Sequence, residues 1–311
     1  MREYHRPVLL DEVIAGLDIK DGGIYFDGTC GGAGHSSAIL AANGSVRLVA
    51  TDKDGEAIAE ANERLAPFAG RFALYRTDYK NYESVLEEEG IDALDGFLLD
   101  FGISSHQIDD EKRGFAYRLK NAPLDMRMDT RGGITAEDVV NSYSEEALKR
   151  IFREYGEESF AGPIAKRIAL TREKGKITTA GELSSIVEEA LPQRLRGAAC
   201  ARKVFQAIRI EVNGELEGLK ECVKGLTQRL KPGGRACILT FHSLEDRIVK
   251  EVFRDLASGC TCPKNFPVCV CGKQQEIEII TRKPLTATQE ELRENSRSKC
   301  AKLRIARKLE V

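Results

Sequence analysis

Ile24-Tyr25-Phe26-Asp27-Gly28-Thr29-Cys30-Gly31-Gly32-Ala33-Gly34 decides the fold. A short apolar run ends in an acid, passes into a glycine-rich turn, and is followed over 36–42 by a helical pattern. Strand, glycine turn and helix in that order bring backbone amides and a helix N-terminus to a ligand. The next apolar run, 46–51, ends at Asp52, which stands 18 residues after Gly34. A carboxylate at the end of the second strand is placed to accept hydrogen bonds from ribose hydroxyls. Asp54 then reads as the N-cap of a helix to Leu65, with Ala57, Ile58, Ala61 and Leu65 on one face. Further short strands read at 72–75, ending near Asp78-Tyr79, and at 96–99, ending at Asp100. Strands alternating with helices at this spacing predict βαβ units and a mostly parallel α/β sheet.

The pattern breaks at Ser104. From there to Arg202 no strand reads convincingly, whereas helices read at 136–143, 145–155, 159–174 and 180–191. The α/β pattern resumes with a helix over 216–230, a turn at Lys231-Pro232-Gly233-Gly234, a strand over 235–241 and a helix over 244–256. Two late strands read at 277–282 and 302–309. The expected organisation is a discontinuous α/β domain, 1–104 and 203–311, interrupted by an inserted all-helical domain, 105–202.

The chain has 311 residues, enough for one large domain or two smaller ones, and its 42% hydrophobic content supports a buried core. With 47 Lys+Arg against 49 Asp+Glu the net charge is −2, which excludes a polycation of the histone kind. No apolar run reaches about 18 residues, so no membrane-spanning helix is expected. The N-terminal stretch carries acids within its apolar run and does not read as a signal peptide. Nine cysteines, an odd number, argue against a disulfide framework and for a reducing cytoplasmic setting. Charge is uneven along the chain: 52–100 carries net −8, 160–235 net +7, and 282–311 net +5. The basic segments suit a polyanion, or else form an ordinary solvated surface.

The ligand class narrows by elimination. The dinucleotide fingerprint fails, because Ser37 stands where a third glycine belongs, and no Gly-Lys-Ser/Thr follows the turn. The remaining pattern, Asp27, Gly28, Gly32 and Gly34 with Asp52, resembles the S-adenosylmethionine site of class I methyltransferases. Longer motifs follow in order: Gly34-His35-Ser36, Leu99-Asp100-Phe101-Gly102-Ile103-Ser104-Ser105, Arg113-Gly114-Phe115, Asp125-Met126-Arg127-Met128-Asp129, Phe205-Gln206-Ala207-Ile208-Arg209 and Phe241-His242-Ser243-Leu244-Glu245-Asp246-Arg247. His5…Pro7-Val8-Leu9-Leu10-Asp11-Glu12 and Ser296-Arg297-Ser298 complete the set. Over nearly its whole length the chain resembles the bacterial ribosomal RNA small-subunit methyltransferase H family.

That resemblance implies a class I, Rossmann-like fold with a helical insertion. It also implies methyl transfer from S-adenosylmethionine to the exocyclic N4 of one cytidine in the decoding region of 16S ribosomal RNA, within the assembled small subunit. A methyltransferase for DNA or another amine, and a non-catalytic zinc-bearing RNA-binding protein, are the competing functions. No membrane partner is expected, and pairing with a second copy is left open. By the resemblance, cofactor contacts fall on Ala33, Gly34, His35, Asp52, Tyr79, Asp100 and Gln107. Tyr79 is placed to flank the adenine, or is an ordinary half-buried tyrosine; Asp100 lies at the ligand edge of the sheet, or caps a turn.

Cytosine N4 is a weak nucleophile, so acceptors on its N–H groups help. Many amino-group methyltransferases carry an Asp/Asn-Pro-Pro-aromatic motif after the fourth strand, where this chain has Asp100-Phe101-Gly102-Ile103. Asp100, His242 and Ser243 are therefore the catalytic candidates, with a structural histidine the alternative at 242. In the insertion and just beyond it, Arg127, Arg167, Arg194, Arg196, Arg202, Lys203 and Arg209 are candidates for an RNA clamp. Arg127 sits between Asp125 and Asp129 and also reads as a structural ion pair. Near the C-terminus, Cys260-x-Cys262 and Cys269-x-Cys271 offer four thiols within twelve residues. They read as a tetrahedral zinc site, as free thiols, or as a redox pair.

Overall fold

The computed structural model describes residues 7–197, 199–260, 262, 268 and 270–310. The chain divides into two compact units, one of residues 1–102 and 217–311 and one of residues 103–216. In chain order the first unit opens with α1 (Leu10–Leu17), β1 (Ile24–Asp27), α2 (Gly34–Ala42), β2 (Arg47–Asp52), α3 (Gly55–Leu65), β3 (Phe72–Arg76), α4 (Tyr82–Glu88) and β4 (Leu94–Asp100). The second unit holds α5 (Ser105–Asp109), α6 (Ala136–Ser142), α7 (Glu145–Glu154), α8 (Ala161–Arg172), α9 (Ala180–Ala190) and α10 (Arg202–Asn213). The first unit then resumes with α11 (Leu219–Gln228), β5 (Leu230–Thr240), α12 (Ser243–Ala257), β6 (Ile277–Ile279), α13 (Gln289–Glu294) and β7 (Lys302–Lys308).

The seven strands form one sheet in the order β3-β2-β1-β4-β5-β7-β6. The first five neighbours pair in parallel, and β7 runs antiparallel to both β5 and β6. This is the expected α/β class. The inner strands are near-continuous apolar runs because both faces are covered: Tyr25, Phe26, Leu48, Val49, Ala50 and Phe97 are fully buried. Helix α1 lies close against one face, where a Cβ on Gly16 would come within 2.6 Å of Ile305 Cδ1 and 3.0 Å of Cys237 Sγ. The parallel register brings the ends of β1, β2 and β4 to one edge, and each ends in an aspartate: Asp27, Asp52 and Asp100.

The helical unit has its own core, with Val140, Ile151, Phe152, Ile168, Leu183 and Phe205 among its buried members. Its helix starts follow the Thr-x-x-acid pattern: Thr135 with Asp138 and Thr179 with Glu182 make capping boxes. The unit extends past the expected end at 202. Helix α10 was not legible as a separate element, and its Val204, Phe205, Ala207 and Ile208 are buried in the helical core. No helix among the described residues is long and apolar enough to cross a membrane. The turn expected at Lys231–Gly234 instead lies inside β5, where the pairing with β4 jumps from Leu94↔Leu230 to Gly96↔Arg235. Pro232 removes one ladder donor, and the irregularity absorbs the extra residues.

The Arg113-Gly114-Phe115 and Asp125–Asp129 motifs meet in the helical unit. The buried Arg113 donates through Nη2 to the carbonyls of Arg127 (3.0 Å) and Met128 (3.1 Å). Asn213 donates to Met126 O at 2.8 Å and accepts from Met128 N at 2.7 Å. Gly114 has φ +72°, and a Cβ there would sit 1.9 Å from Pro123 O. Gly114→Ala is therefore expected to destabilise the helical unit by about 2–4 kcal/mol, since backbone cannot move aside as a flexible side chain would. Gly132→Ala, where a Cβ meets nothing within 4 Å, should cost under about 0.5 kcal/mol. Denaturant unfolding of the two variants checks the contrast.

Candidate active site

The glycine loop is tied to the strands around it. Gly28 N donates to Leu98 O (3.0 Å), Cys30 N to Thr51 O (3.0 Å), and Thr51 Oγ1 to Gly28 O (2.9 Å). Asp27 is 1% exposed; its two oxygens accept from Thr29 N (3.1 Å) and Ser36 Oγ (2.6 Å), joining the loop to α2. Burial raises its pKa to about 6. A Cβ on Gly28 would lie 2.4 Å from Leu99 Cδ2 and 2.8 Å from Tyr79 Cβ, so only glycine fits there. Gly31 differs: φ is +50° and no atom lies within 4 Å of its would-be Cβ, so the loop presents bare backbone to open space. Ala33, with φ 58°, takes the left-handed turn that starts α2, and Gly34 is the first helical residue.

Asp52 is held at two points. Oδ2 accepts from Gly31 N and Oδ1 from Asp54 N, both at 2.9 Å. Burial raises its pKa to about 6, against the lowering effect of these two bonds. Tyr79 follows β3 in a short 3₁₀ turn capped by Asp78. Its ring centroid is 5.7 Å from that of Phe101, tilted by 42°, and its Cβ lies beside the Gly28 backbone.

Asp100 ends β4 with its backbone N donating to Thr29 Oγ1 at 2.6 Å. Its side chain is 23% exposed. Oδ1 is buried with no hydrogen-bond partner among the described residues, and Oδ2 lies 3.6 Å from His35 Nδ1. Burial, then the charges of Asp27 and Glu245, push this carboxyl well above the usual range. His35 is buried too, and its pKa falls to about 4. Its Nε2 lies 3.0 Å from Val8 O, which can only accept, so the ring is neutral with its proton on Nε2.

His242 does not stand open to a substrate. It is the N-cap of α12, where Nδ1 accepts from Glu245 N at 3.4 Å and Nε2 lies 3.0 Å from Glu245 Oε1. Glu245, 2% exposed, also accepts from Phe241 N and His242 N. Ser243, the first helical residue, is exposed. Gln107 belongs to the helical unit, where it completes a capping box with Ser104: Ser104 N donates to Gln107 Oε1 (3.0 Å) and Gln107 N to Ser104 Oγ (3.2 Å). The structure thus gathers Ala33, Gly34, His35, Asp52, Tyr79 and Asp100 at one sheet edge and gives His242 and Gln107 helix-capping work. Thr29 and Glu245 were missed. Both lie in quoted motifs, and the three-residue step from His242 to Glu245 is the capping-box spacing.

Of the clamp candidates, Arg127 makes a two-point pair with Asp125 (3.0 and 2.8 Å), and Arg209 with Glu215 (2.8 Å twice). Arg167 pairs with Glu189, Arg196 donates to Leu191 O, and Lys203 donates to Glu157 O. Arg194 and Arg202 are exposed, with no partner among the described residues. Of the four cysteines near the C-terminus, Cys260, Cys262 and Cys271 come together with ligand atoms within 4.8 Å of one another. Cys269 lies outside the described residues.

These features fit S-adenosylmethionine on the evidence of the site itself. Asp52 suits a vicinal diol, the bare backbone at Gly31 admits close approach, and the buried orphan oxygen of Asp100 calls for a donor, best a cationic one. Comparison with known proteins agrees. The MraW methylase family matches residues 2–309. Ribosomal RNA small subunit methyltransferase H 2 of Agathobacter rectalis is 52% identical, covering 99% of each chain. Ribosomal RNA small subunit methyltransferase H of Lachnospira eligens is 51% identical over 98% of each, and that of Carboxydothermus hydrogenoformans 48% over 99% of each. A solved rRNA methylase from Streptococcus thermophilus, 11% identical over 97% of this chain and 94% of that one, superposes with a TM-score of 0.39, too distant a likeness to argue from. The chain belongs to the MraW methylase family and is an S-adenosylmethionine-dependent methyltransferase.

Proposed function

We propose that this enzyme methylates the exocyclic N4 of a cytidine in the decoding region of 16S ribosomal RNA, in the cytoplasm and on the assembled small subunit. The observation that carries the reading is the 48–52% identity, end to end, with proteins named for small-subunit ribosomal RNA. None of these relatives is named for DNA or for a binding role without catalysis. When bound, S-adenosylmethionine supplies an electrophilic sulfonium methyl group. The protein's part is to position and to accept charge. Asp52 holds the ribose diol, Tyr79 flanks the adenine, and Asp100 accepts hydrogen bonds from the cofactor's cationic end through Oδ1. His35 is fixed by Val8 O and closes the loop side of that carboxyl. The β5–α12 corner serves the target amino group: Ser243 is exposed there, and His242 acts as a positioning residue by fixing the helix start. The helical unit, 103–216, serves substrate recognition. Mass spectrometry of 16S nucleosides tests the whole reading. Small subunits from a strain lacking the enzyme should gain N4-methylcytidine on incubation with protein and cofactor, and no gain would overturn it.

Two substitutions examine the site. Asp52→Ala should weaken cofactor binding by about 1.5–3 kcal/mol while RNA binding survives, because a charged acceptor is lost from the diol. For the unsubstituted enzyme, affinity measured by calorimetry should drop as pH falls below about 6. Asp52 and Asp27 both have pKa values near 6, and their ionised forms favour a cationic ligand.

Asp100→Asn keeps shape and removes charge. With the cofactor contact primary, affinity should fall about 10- to 100-fold, and saturating cofactor should restore most of the rate. A rate loss of several hundredfold at saturation with unchanged affinity would instead make Asp100 the acceptor for cytosine N4.

A further inference from the structure

We propose that Cys260, Cys262 and Cys271 are ligands of a structural zinc ion. The described residues between Leu256 and Ile277 make an excursion whose neck is closed and whose interior is bare. Glu276 N donates to Leu256 O at 2.9 Å, and Lys273 Nζ donates to Asp255 Oδ1 at 2.6 Å, so the outgoing and returning legs meet. Beyond that neck none of the described residues is buried, and Val268 and Val270 are 70% and 75% exposed. Apolar burial therefore does little to order these described residues.

The sulfur geometry supplies what burial does not. Cys260 Sγ and Cys271 Sγ are 3.7 Å apart. A tetrahedral zinc with Zn–S of about 2.3 Å separates its sulfurs by about 3.8 Å. The observed spacing is far beyond the bonded distance of about 2.05 Å in a disulfide. Cys262 Sγ closes the triangle within 4.8 Å. Two backbone amides donate to these sulfurs, Cys262 N to Cys260 Sγ and Val270 N to Cys262 Sγ, each at 3.4 Å. Amides aimed at sulfur orient the ligand, as the surroundings of a metal centre do. Gly272, with φ +62°, gives the turn immediately after Cys271. Binding converts the thiols to thiolates and releases their protons to solvent, while the ion keeps its +2 charge.

The test uses the full chain, prepared without chelator. Elemental analysis should find one zinc per chain. Replacement by cobalt should give the strong visible absorption of a tetrahedral thiolate site. Cys260→Ser, Cys262→Ser and Cys271→Ser should each lower zinc content several-fold. Cys200→Ser and Cys300→Ser, at cysteines outside the cluster, should leave it unchanged. S-adenosylmethionine affinity, measured on the same variants, should stay the same and so report that the sheet unit is folded. Chelation should open the 258–275 segment to protease while that affinity survives. Zinc well below one per chain after zinc-replete expression would overturn the proposal. So would zinc retained by a Cys262→Ser/Cys271→Ser double variant, or a Cys260–Cys271 disulfide in freshly prepared protein. The outcome is independent of which RNA is methylated.

Discussion

Three carboxyl groups at one edge of a parallel sheet constrain everything else in this enzyme. Asp27, Asp52 and Asp100 end adjacent or near-adjacent strands, and burial raises the pKa of all three. The folded protein holds their protons more tightly than the unfolded chain does. Asp27 and Asp52 therefore withdraw stability as pH rises from the ordinary carboxylate range, about 4, towards 6. The glycine loop is the local answer. Its backbone and Ser36 donate to Asp27, and Gly31 N donates to Asp52. Asp100 is left uncompensated, with a buried oxygen that meets no donor among the described residues. A cationic ligand at this edge both repairs that deficit and favours the ionised forms, so ligand affinity draws on a cost already built into the fold.

This view explains which parts of the sequence were legible. The strands, the glycine turn and the acids after them are local signals: apolar runs, a turn requirement and a charge at a fixed place in each unit. The capping roles were harder to read. A histidine after a strand has the same appearance whether it holds a substrate or a helix, and the difference at His242 lies in Glu245 three residues on. Gln107 is the same case with Ser104. The extent of the helical unit was set by packing: α10 is assigned by its buried Val204, Phe205 and Ile208, which a periodicity reading across Gly197 and the motif that follows did not isolate.

The turn residues at Lys231–Gly234 show a different failure. Proline and two glycines signal a break, yet β5 includes them as an irregularity beside β4. Sheet pairing further along, with Ala236 to Leu239 buried between β4 and the antiparallel β7, keeps the strand in register. Tertiary pairing overrides local propensity where a strand has neighbours on both sides.

Charge has a similar lesson for the helical unit. The +7 of residues 160–235 invites a polyanion, but that window runs across the unit boundary. Counted over 103–216, the unit carries 19 Lys+Arg and 18 Asp+Glu, essentially neutral. Several of its arginines are already held by neighbouring acids, Arg127 by Asp125 and Arg209 by Glu215 in two-point pairs. On the proposed recognition role of this unit, its net charge is not what would bring RNA to it. Under that proposal, recognition would rest on where the exposed cations lie, Arg194 and Arg202 among them, and on the shape of the substrate. A surface of that kind would gain little from long-range attraction and would discriminate by fit, as selection of one nucleotide among very many equally charged ones requires.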